Sequence, residues 1–141
     1  MVIKQLSVFV ENKIGRMAEI TGIIGDANVD IRALSIADTS DFGILRLIVD
    51  KPEEALLALK ENKITVSLTD VIAVGIEDKP GAFAKVVKIM SDAGISIEYM
   101  YAFISRSDDQ AFVIMRVEDP DKGIAALNGQ GIKLLCREDI Y

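Results

Sequence analysis

The sequence predicts an α+β fold: two tandem β-α-β-β-α-β units, each an antiparallel sheet with its helices on one face. Three observations predict it. The chain repeats itself once. Each repeat runs through strand-like and helix-like apolar spacings in the same order. The composition, 50% hydrophobic and 27% charged over 141 residues, supplies enough apolar side chains for packed cores.

The repeat is read by laying the chain on itself. Leu6-Ser-Val-Phe-Val-Glu-Asn-Lys-Ile-Gly15 aligns, 66 positions on, with Ile72-Ala-Val-Gly-Ile-Glu-Asp-Lys-Pro-Gly81. The match continues without a gap from residues 26–31 to residues 92–97. A two-residue insertion then shifts the register to 68, and residues 45–52 pair with residues 113–120. Shared glycine, proline and turn positions make chance similarity a poor explanation. Two domains follow, residues 1–68 and 69–141, with a seam near residues 68–71 and no Gly/Ser/Pro-rich linker.

Within each copy the elements follow from residue spacing. Leu6, Val8 and Val10, like Ile72, Val74 and Ile76, alternate with period two and predict the first strand. Met17, Ile20, Ile24 and Ala27, matched by Phe83, Val86, Met90 and Ala93, form a helical stripe. Asn28 and Gly94 follow it, where a left-handed helix stop wants Asn or Gly. Extended patterning resumes over 31–37 and 97–105. Polar turns at 38–41 and 105–110 lead into third strands at 43–49 and 111–117. Pro52 and Pro120 suit the first turn of a second helix. The apolar positions of that helix are Ala55, Leu56 and Leu59, then Ile124, Ala125 and Leu127. Last strands fall at 64–68 and 132–135. Right-handed strand–helix–strand crossovers joined by a hairpin give a four-stranded ferredoxin-like sheet. Ile44, Ile48, Phe112 and Ile114 alternate with the residues under the helices. They leave an apolar second face, which is expected to pack on another sheet in a homodimer.

Composition also prunes the chemistry. The chain has no histidine and one cysteine, Cys136. Ser-His-Asp and Cys-His nucleophiles and imidazole-based metal sites are therefore excluded. Neither a phosphate loop nor a dinucleotide fingerprint is present, and no cofactor is expected. A net charge of −6 without a basic cluster argues against nucleic acid. The longest uncharged run, residues 123–132, is far below the ~18 apolar residues of a spanning helix. No signal-peptide pattern opens the chain. A cytoplasmic protein that binds neither membrane nor nucleic acid is expected.

The motif Asp78-Lys79-Pro80-Gly81-Ala82-Phe83, followed by a helix ending Asp92-Ala-Gly94-Ile-Ser96-Ile97, resembles an ACT domain. The first copy carries Asn12-Lys13-Ile14-Gly15-Arg16-Met17 and Asp26-Ala-Asn28-Val-Asp30-Ile31 at the same places. The likeness covers essentially the whole chain, as in stand-alone tandem ACT proteins. It implies a non-catalytic module that senses a free amino acid between paired domains and signals to an amino-acid-metabolism enzyme or regulator. The helix N-terminus behind Gly15 or Gly81 would attract a carboxylate. The resemblance offers Asn12, Asp78, Asp30 and Ser96 as acceptors for the ammonium. It places Met17 and Phe83, with Ile14, Pro80, Arg16 and Ala82 around them, at the ligand side chain.

Each of these residues has a plainer role as well. Gly15 and Gly81 serve turns, Met17 and Phe83 belong to the core stripe, and Asp30 and Asp78 suit solvated turns. Tyr99, Tyr101 and Phe103 share one strand face and are expected to pack on the sheet. Cys136 reads as an inert thiol. The copies differ too: Ile14 stands where the motif has proline and Asn12 where it has aspartate. The first copy has Asp30 and Arg16 where the second has Ser96 and Ala82. Two unlike sites and one composite site remain open. The competing functions are a structural dimerisation module without ligand and a small isomerase- or mutase-type enzyme using a carboxylate–lysine pair.

Overall fold

The computed structural model describes all residues except Thr39, 105–109 and Tyr141, and all of their side chains but those of Asp38 and Ile104. Residues 105–109 of the turn expected at 105–110, and Thr39 in the turn expected at 38–41, lie outside the described residues. Two compact units emerge, Lys4–Thr69 and Asp70–Ile140, the latter including Met1–Ile3.

The first unit runs β1 (Ile3–Glu11), α1 (Arg16–Asp26), β2 (Ile31–Asp38), β3 (Phe42–Val49), α2 (Pro52–Glu61) and the start of β4 (Val66–Glu77). Its sheet order is β2-β3-β1-β4, and the β1–β3 and β2–β3 pairs are antiparallel. The second unit runs from the rest of β4 through α3 (Ala82–Asp92), β5 (Ile97–Ile104), β6 (Gln110–Val117), α4 (Pro120–Asn128), β7 (Lys133–Leu134) and α5 (Arg137–Ile140). Its order is β5-β6-β4-β7, again antiparallel. Both are the ferredoxin-like unit that the repeat predicts. The seam at 68–71 falls inside β4, which continues unbroken for 12 residues. The final strand of the second copy shrinks to two residues.

Cross-strand register assigns the faces, because directly opposed residues point the same way. Leu6 opposes Leu47 and Val8 opposes Leu45. These four pack with Ile20, Ile24, Ala55 and Leu59 in the first core. Ile72 opposes Met115 and Val74 opposes Val113, packing with Val86, Met90 and Leu127 in the second. Each fully buried Leu, Ile or Met contributes about 1.5–3 kcal/mol over its exposed state. The predicted stripes hold with two corrections. Met17 and Phe83, at the N-terminal end of their stripes, are 37% and 40% exposed. In α4 the buried position is Gly123 and not Ala125, which is exposed. A Cβ on Gly123 would lie 2.8 Å from Ile72 Cδ1, so the helix sits closer to β4 than a side chain there allows.

The second sheet face also departs from expectation. Ala33, Ile48, Ala73, Phe112 and Ile114 on that face are already buried within the single chain. Phe9 and Phe42 are the large apolar residues exposed there among the described residues. Tyr99, Tyr101 and Phe103 oppose Arg116, Ile114 and Phe112, which puts all three on this face. Phe103 stacks on Phe112 with ring centroids 5.2 Å apart, as the packing role anticipates.

All four long helices stop in the same way. Asn28 (φ 56°) and Gly94 (φ 71°) are left-handed, as their positions predict. Val29 N–H reaches Ile24 O at 3.2 Å and Ile95 N–H reaches Met90 O at 2.9 Å, the outer bond of a Schellman stop. Gly131 (φ 71°) ends α4 with Ile132 N–H on Leu127 O. Its counterpart after α2 is Lys63, held at φ 60° with Ile64 N–H on Leu59 O. A side chain with a Cβ is strained there by about 1 kcal/mol. Lys63→Gly is therefore expected to raise the free energy of unfolding by about 0.5–1 kcal/mol, measured by urea denaturation. A loss of stability would mean that Lys63 makes a compensating contact.

Candidate functional site

The two β–α loops are built alike. In the second unit Ala82 N–H donates to Lys79 O at 3.3 Å. Gly81 has φ 86° and ψ −15°. That is the third position of a type II turn, with Pro80 at the second. The first unit repeats it: Arg16 N–H donates to Lys13 O at 3.2 Å, and Gly15 has φ 88° and ψ −12°. A glycine inside a first helical turn would have negative φ. Both glycines are instead left-handed, because each ends a type II turn while serving as the N-cap of its helix. Neither cap supplies a side-chain hydrogen bond. The first-turn N–H groups of α1 and α3 thus keep their partial positive charge directed at the loop.

Each loop opens with a Glu-x-Lys pair. Lys13 Nζ lies 2.7 Å from Glu11 Oε2, and Lys79 Nζ pairs with Glu77. The lysine hydrogen bond and its charge hold both glutamates below the ordinary carboxylate range. In the first unit Arg16 is held as well, with Nη2 3.3 Å from Glu11 Oε1 and Nη1 2.8 Å from Glu19 Oε2. Asn12 is exposed but tied to the neighbouring turn: its backbone N–H donates to Asp41 O at 3.0 Å and its Nδ2 to Ser40 O at 3.4 Å. Ile14 projects fully into solvent.

In the second unit the same place is a cleft of about 290 Å³. Ile76, Phe83, Met100, Ala102, Ala111 and Val113 line it, with Asp78 and Lys79 also at its wall. Of the residues singled out from sequence, Asp78, Lys79 and Phe83 therefore meet in one cleft beside the α3 N-terminus. Pro80, Gly81 and Ala82 form the turn that feeds it. Met100 and Ala102 escaped notice because the alternating aromatics Tyr99, Tyr101 and Phe103 mark the opposite face. The signal that finds them is register, since Met100 opposes Met115 and Ala102 opposes Val113 on the helix side.

Asp30 and Ser96 do not join their loops within a unit. Both follow the C-terminus of the helix, and 11 helical residues separate the two ends by about 16 Å. Asp30 Oδ2 pairs with Arg32 Nη1 at 3.2 Å, and its N–H donates to Asp50 Oδ1 at 2.8 Å. Ser96 lines a separate depression with Gly94, Glu118, Asp119 and Lys122. One α-amino acid cannot span from Gly15 to Asp30 of the same unit. The Cys136 thiol donates to Asp139 Oδ2 at 3.0 Å, and that bond pushes its pKa up, away from reactive thiolate. Among the described residues no cluster of His, Cys, Asp or Glu is placed to hold a metal ion. No helix among them is long and apolar enough to cross a membrane.

Fold and loop together define a pair of ferredoxin-like domains joined in tandem. The chain belongs to the ACT domain pair family, whose model matches residues 1–140. Protein BT0572 from Bacteroides thetaiotaomicron is 44% identical, with a TM-score of 0.94 over 100% of this chain and 96% of that one. The ligand-free regulatory subunit of aspartate kinase from Thermus thermophilus is 17% identical, with a TM-score of 0.61 over 89% of this chain and 91% of that one. Aspartate kinase from Synechocystis is 22% identical, with a TM-score of 0.58 over 96% of this chain and 28% of that one. At such identities the last two likenesses are of fold alone. No curated protein matches the chain.

The turn geometry separates the roles of its two central residues. Ile14 occupies the position where a type II turn favours proline, and the second copy has Pro80 there. Ile14→Pro should therefore stabilise the protein by about 0.4–1 kcal/mol. Gly81→Ala should destabilise it by about 1–2 kcal/mol through the strain of positive φ, since open space surrounds its missing Cβ. Thermal unfolding of both variants checks the pair, and an unaffected Gly81→Ala would contradict the turn.

Proposed function

We propose that the protein is a non-catalytic regulatory module that binds a free amino acid at the cleft of its second unit. The observation that carries this reading is the joining of an apolar cleft, an exposed carboxylate and an uncapped helix N-terminus within one loop's reach. The amino-acid carboxylate sits at the Phe83 and Ala84 N–H groups of α3, where backbone donors and the helix dipole favour an anion. Asp78 accepts from the ammonium. Phe83, Met100 and Val113 enclose an apolar side chain, so the fit favours an amino acid of the Val, Leu, Ile or Met class.

The first unit takes a different part. Its Arg16 and Asn12 are already engaged within their own loop, and Ile14 replaces the proline that preorganises Pro80. A single dominant site per chain follows. Leu34 and Ile36 on β2, at 57% and 49% exposure, and Met100 on β5 are apolar residues on edge strands. They favour a homodimer formed through sheet edges. Ligand occupancy would then reach a partner enzyme or regulator through the stability of that pairing. The setting is the cytoplasm. Family membership and the regulatory subunit of similar fold support a regulatory role over a catalytic one.

A thermal-shift series across the twenty amino acids tests the binding. At a ligand concentration of ~100 Kd, stabilisation is about 2.7 kcal/mol, a rise of several degrees in Tm. Asp78→Ala and Phe83→Ala should each weaken binding by about tenfold, or ~1.4 kcal/mol. Both residues are exposed and their loss leaves the core intact. No shift with any amino acid would favour the ligand-free dimerisation role.

Assembly is checked separately. Sedimentation at micromolar concentration should show a species of twice the 15.4 kDa chain mass. Leu34→Lys with Ile36→Lys should reduce it to the monomer while leaving the fold intact. A monomer in the unaltered protein would overturn the dimer.

A further inference from the structure

On the β7 side of β4 the second unit holds another cleft, of about 230 Å³. Gly75, Glu77, Lys79, Lys85, Gln110 and Lys133 are among its lining residues. The repeat explains how it opens. Gly75 and Gln110 occupy the positions of Phe9 and Phe42, whose rings lie 4.9 Å apart in the first unit. The registers agree: Phe42 opposes Glu11 just as Gln110 opposes Glu77. Where the first copy has two stacked phenyl groups, the second has a hydrogen atom and an amide.

Backbone conformation does not demand glycine at position 75. Its φ lies outside the left-handed region, and a Cβ there would meet Gln110 Oε1 and Lys133 Cδ at 3.5 Å, an ordinary contact. Glycine inside a strand marks a place where something approaches the backbone closely. Three lysines and one glutamate are among the lining residues, with Asp139 in electrostatic reach of Lys133, which leaves a local surplus of positive charge on a chain whose net charge is −6. Lys79 pairs with Glu77. Lys85 and Lys133 are exposed on the remaining walls. Gln110 Oε1 is buried and has no hydrogen-bond partner among the described residues. A buried acceptor of that kind calls for a donor.

We propose that this cleft is a second ligand site, for a small dicarboxylate that carries its own hydrogen-bond donor. Its carboxylates meet Lys85 and Lys133, and the donor, a hydroxyl or ammonium group on the carbon chain, meets Gln110 Oε1. The site shares Ile76, Glu77 and Lys79 with the apolar amino-acid cleft but takes its ligand at Lys85, Gln110 and Lys133, none of which lines that cleft. It does not depend on that cleft being occupied.

Three four-carbon diacids differing in one substituent test it: succinate without a donor, L-malate with a hydroxyl, and L-aspartate with an ammonium. Each is titrated into 15N-labelled protein at low ionic strength, where charge pairing is least screened. Saturable shifts are expected at the Gly75, Gly131, Ile132 and Lys133 amides, with malate or aspartate binding about fivefold more tightly than succinate. Lys133→Glu should abolish the response while preserving the dispersed spectrum. The double change Gly75→Phe with Gln110→Phe, which rebuilds the first-copy ring pair, should abolish it too. If that double variant fails to fold, Lys133→Glu alone decides. Phe83→Ala should leave the response unchanged, which separates this site from the amino-acid cleft. Absence of saturable shifts with all three diacids, shifts that survive Lys133→Glu, or equal affinity for succinate, malate and aspartate would each overturn the proposal.

Discussion

A positive φ at the residue that joins strand to helix is the constraint on which the rest of this fold depends. Gly15 and Gly81 adopt φ near 88° and 86°, and no other residue type enters that region without strain. The conformation does two things at once. It closes a type II turn from lysine to the first helical residue, and it starts the helix with its N–H groups facing the loop. Glu19 and Lys85 N–H then reach the glycine carbonyls at 3.0 and 3.1 Å, committing the chain to helix immediately. At the other end, Asn28 and Gly94 are again left-handed and return the chain to the sheet. Each first helix is thus bracketed by two left-handed residues 13 positions apart. Its angle on the sheet, and hence its buried stripe, follows from them.

With the frame fixed in both copies, the differences between them lie in what surrounds it. The first loop spends its polar groups internally: Arg16 on Glu11 and Glu19, Asn12 on Ser40 and Asp41. The second has Ala82 and Asp78 at those places. Alanine in place of Arg16 shortens the side chain, and aspartate in place of Asn12 keeps its size but loses the amide donor. The same direction of change appears on the other side of β4, where Gly75 and Gln110 replace a phenylalanine pair. One copy has filled its surface and the other has opened it. Both keep a complete core, since Ile20 and Ile24 on one side and Val86 and Met90 on the other are buried alike. Divergence is concentrated where side chains carry little packing energy.

Much of this was legible in the sequence because it rests on local rules. Period-two strands, period-3.6 stripes, Pro52 and Pro120 at helix starts, and Asn28 and Gly94 at helix stops are all properties of a few consecutive residues. Repetition doubled every such signal. What escaped was whatever depends on pairing between distant residues. The face of Met100 is set by Met115 across the sheet, and the closeness of Gly123 to Ile72 by a helix–sheet contact. The burial of Ile48 and Ile114 on the second face likewise needs the folded chain. Conformation at Gly15 and Gly81 is a different case. The motif Lys-Pro-Gly is both a turn and a helix start, and sign of φ depends on which demand the glycine satisfies. It satisfies the turn.

The site residues divide along the same line. Asp78, Lys79 and Phe83 lie within six residues of one another, so one turn brings them to one cleft whatever the rest of the chain does. Asp30 and Ser96 were linked to that loop only by resemblance, and a helix of 11 residues lies between. Within a unit they belong to the opposite end of the fold, where Asp30 is occupied by Arg32 and by the Asp50 turn. For either to complete an amino-acid site, it would have to be presented by another unit whose helix end meets this loop. A ligand held in that way would bridge two surfaces. Binding energy spent in that way stabilises the pairing and not only the ligand. Such linkage would convert the concentration of a small molecule into a change of assembly.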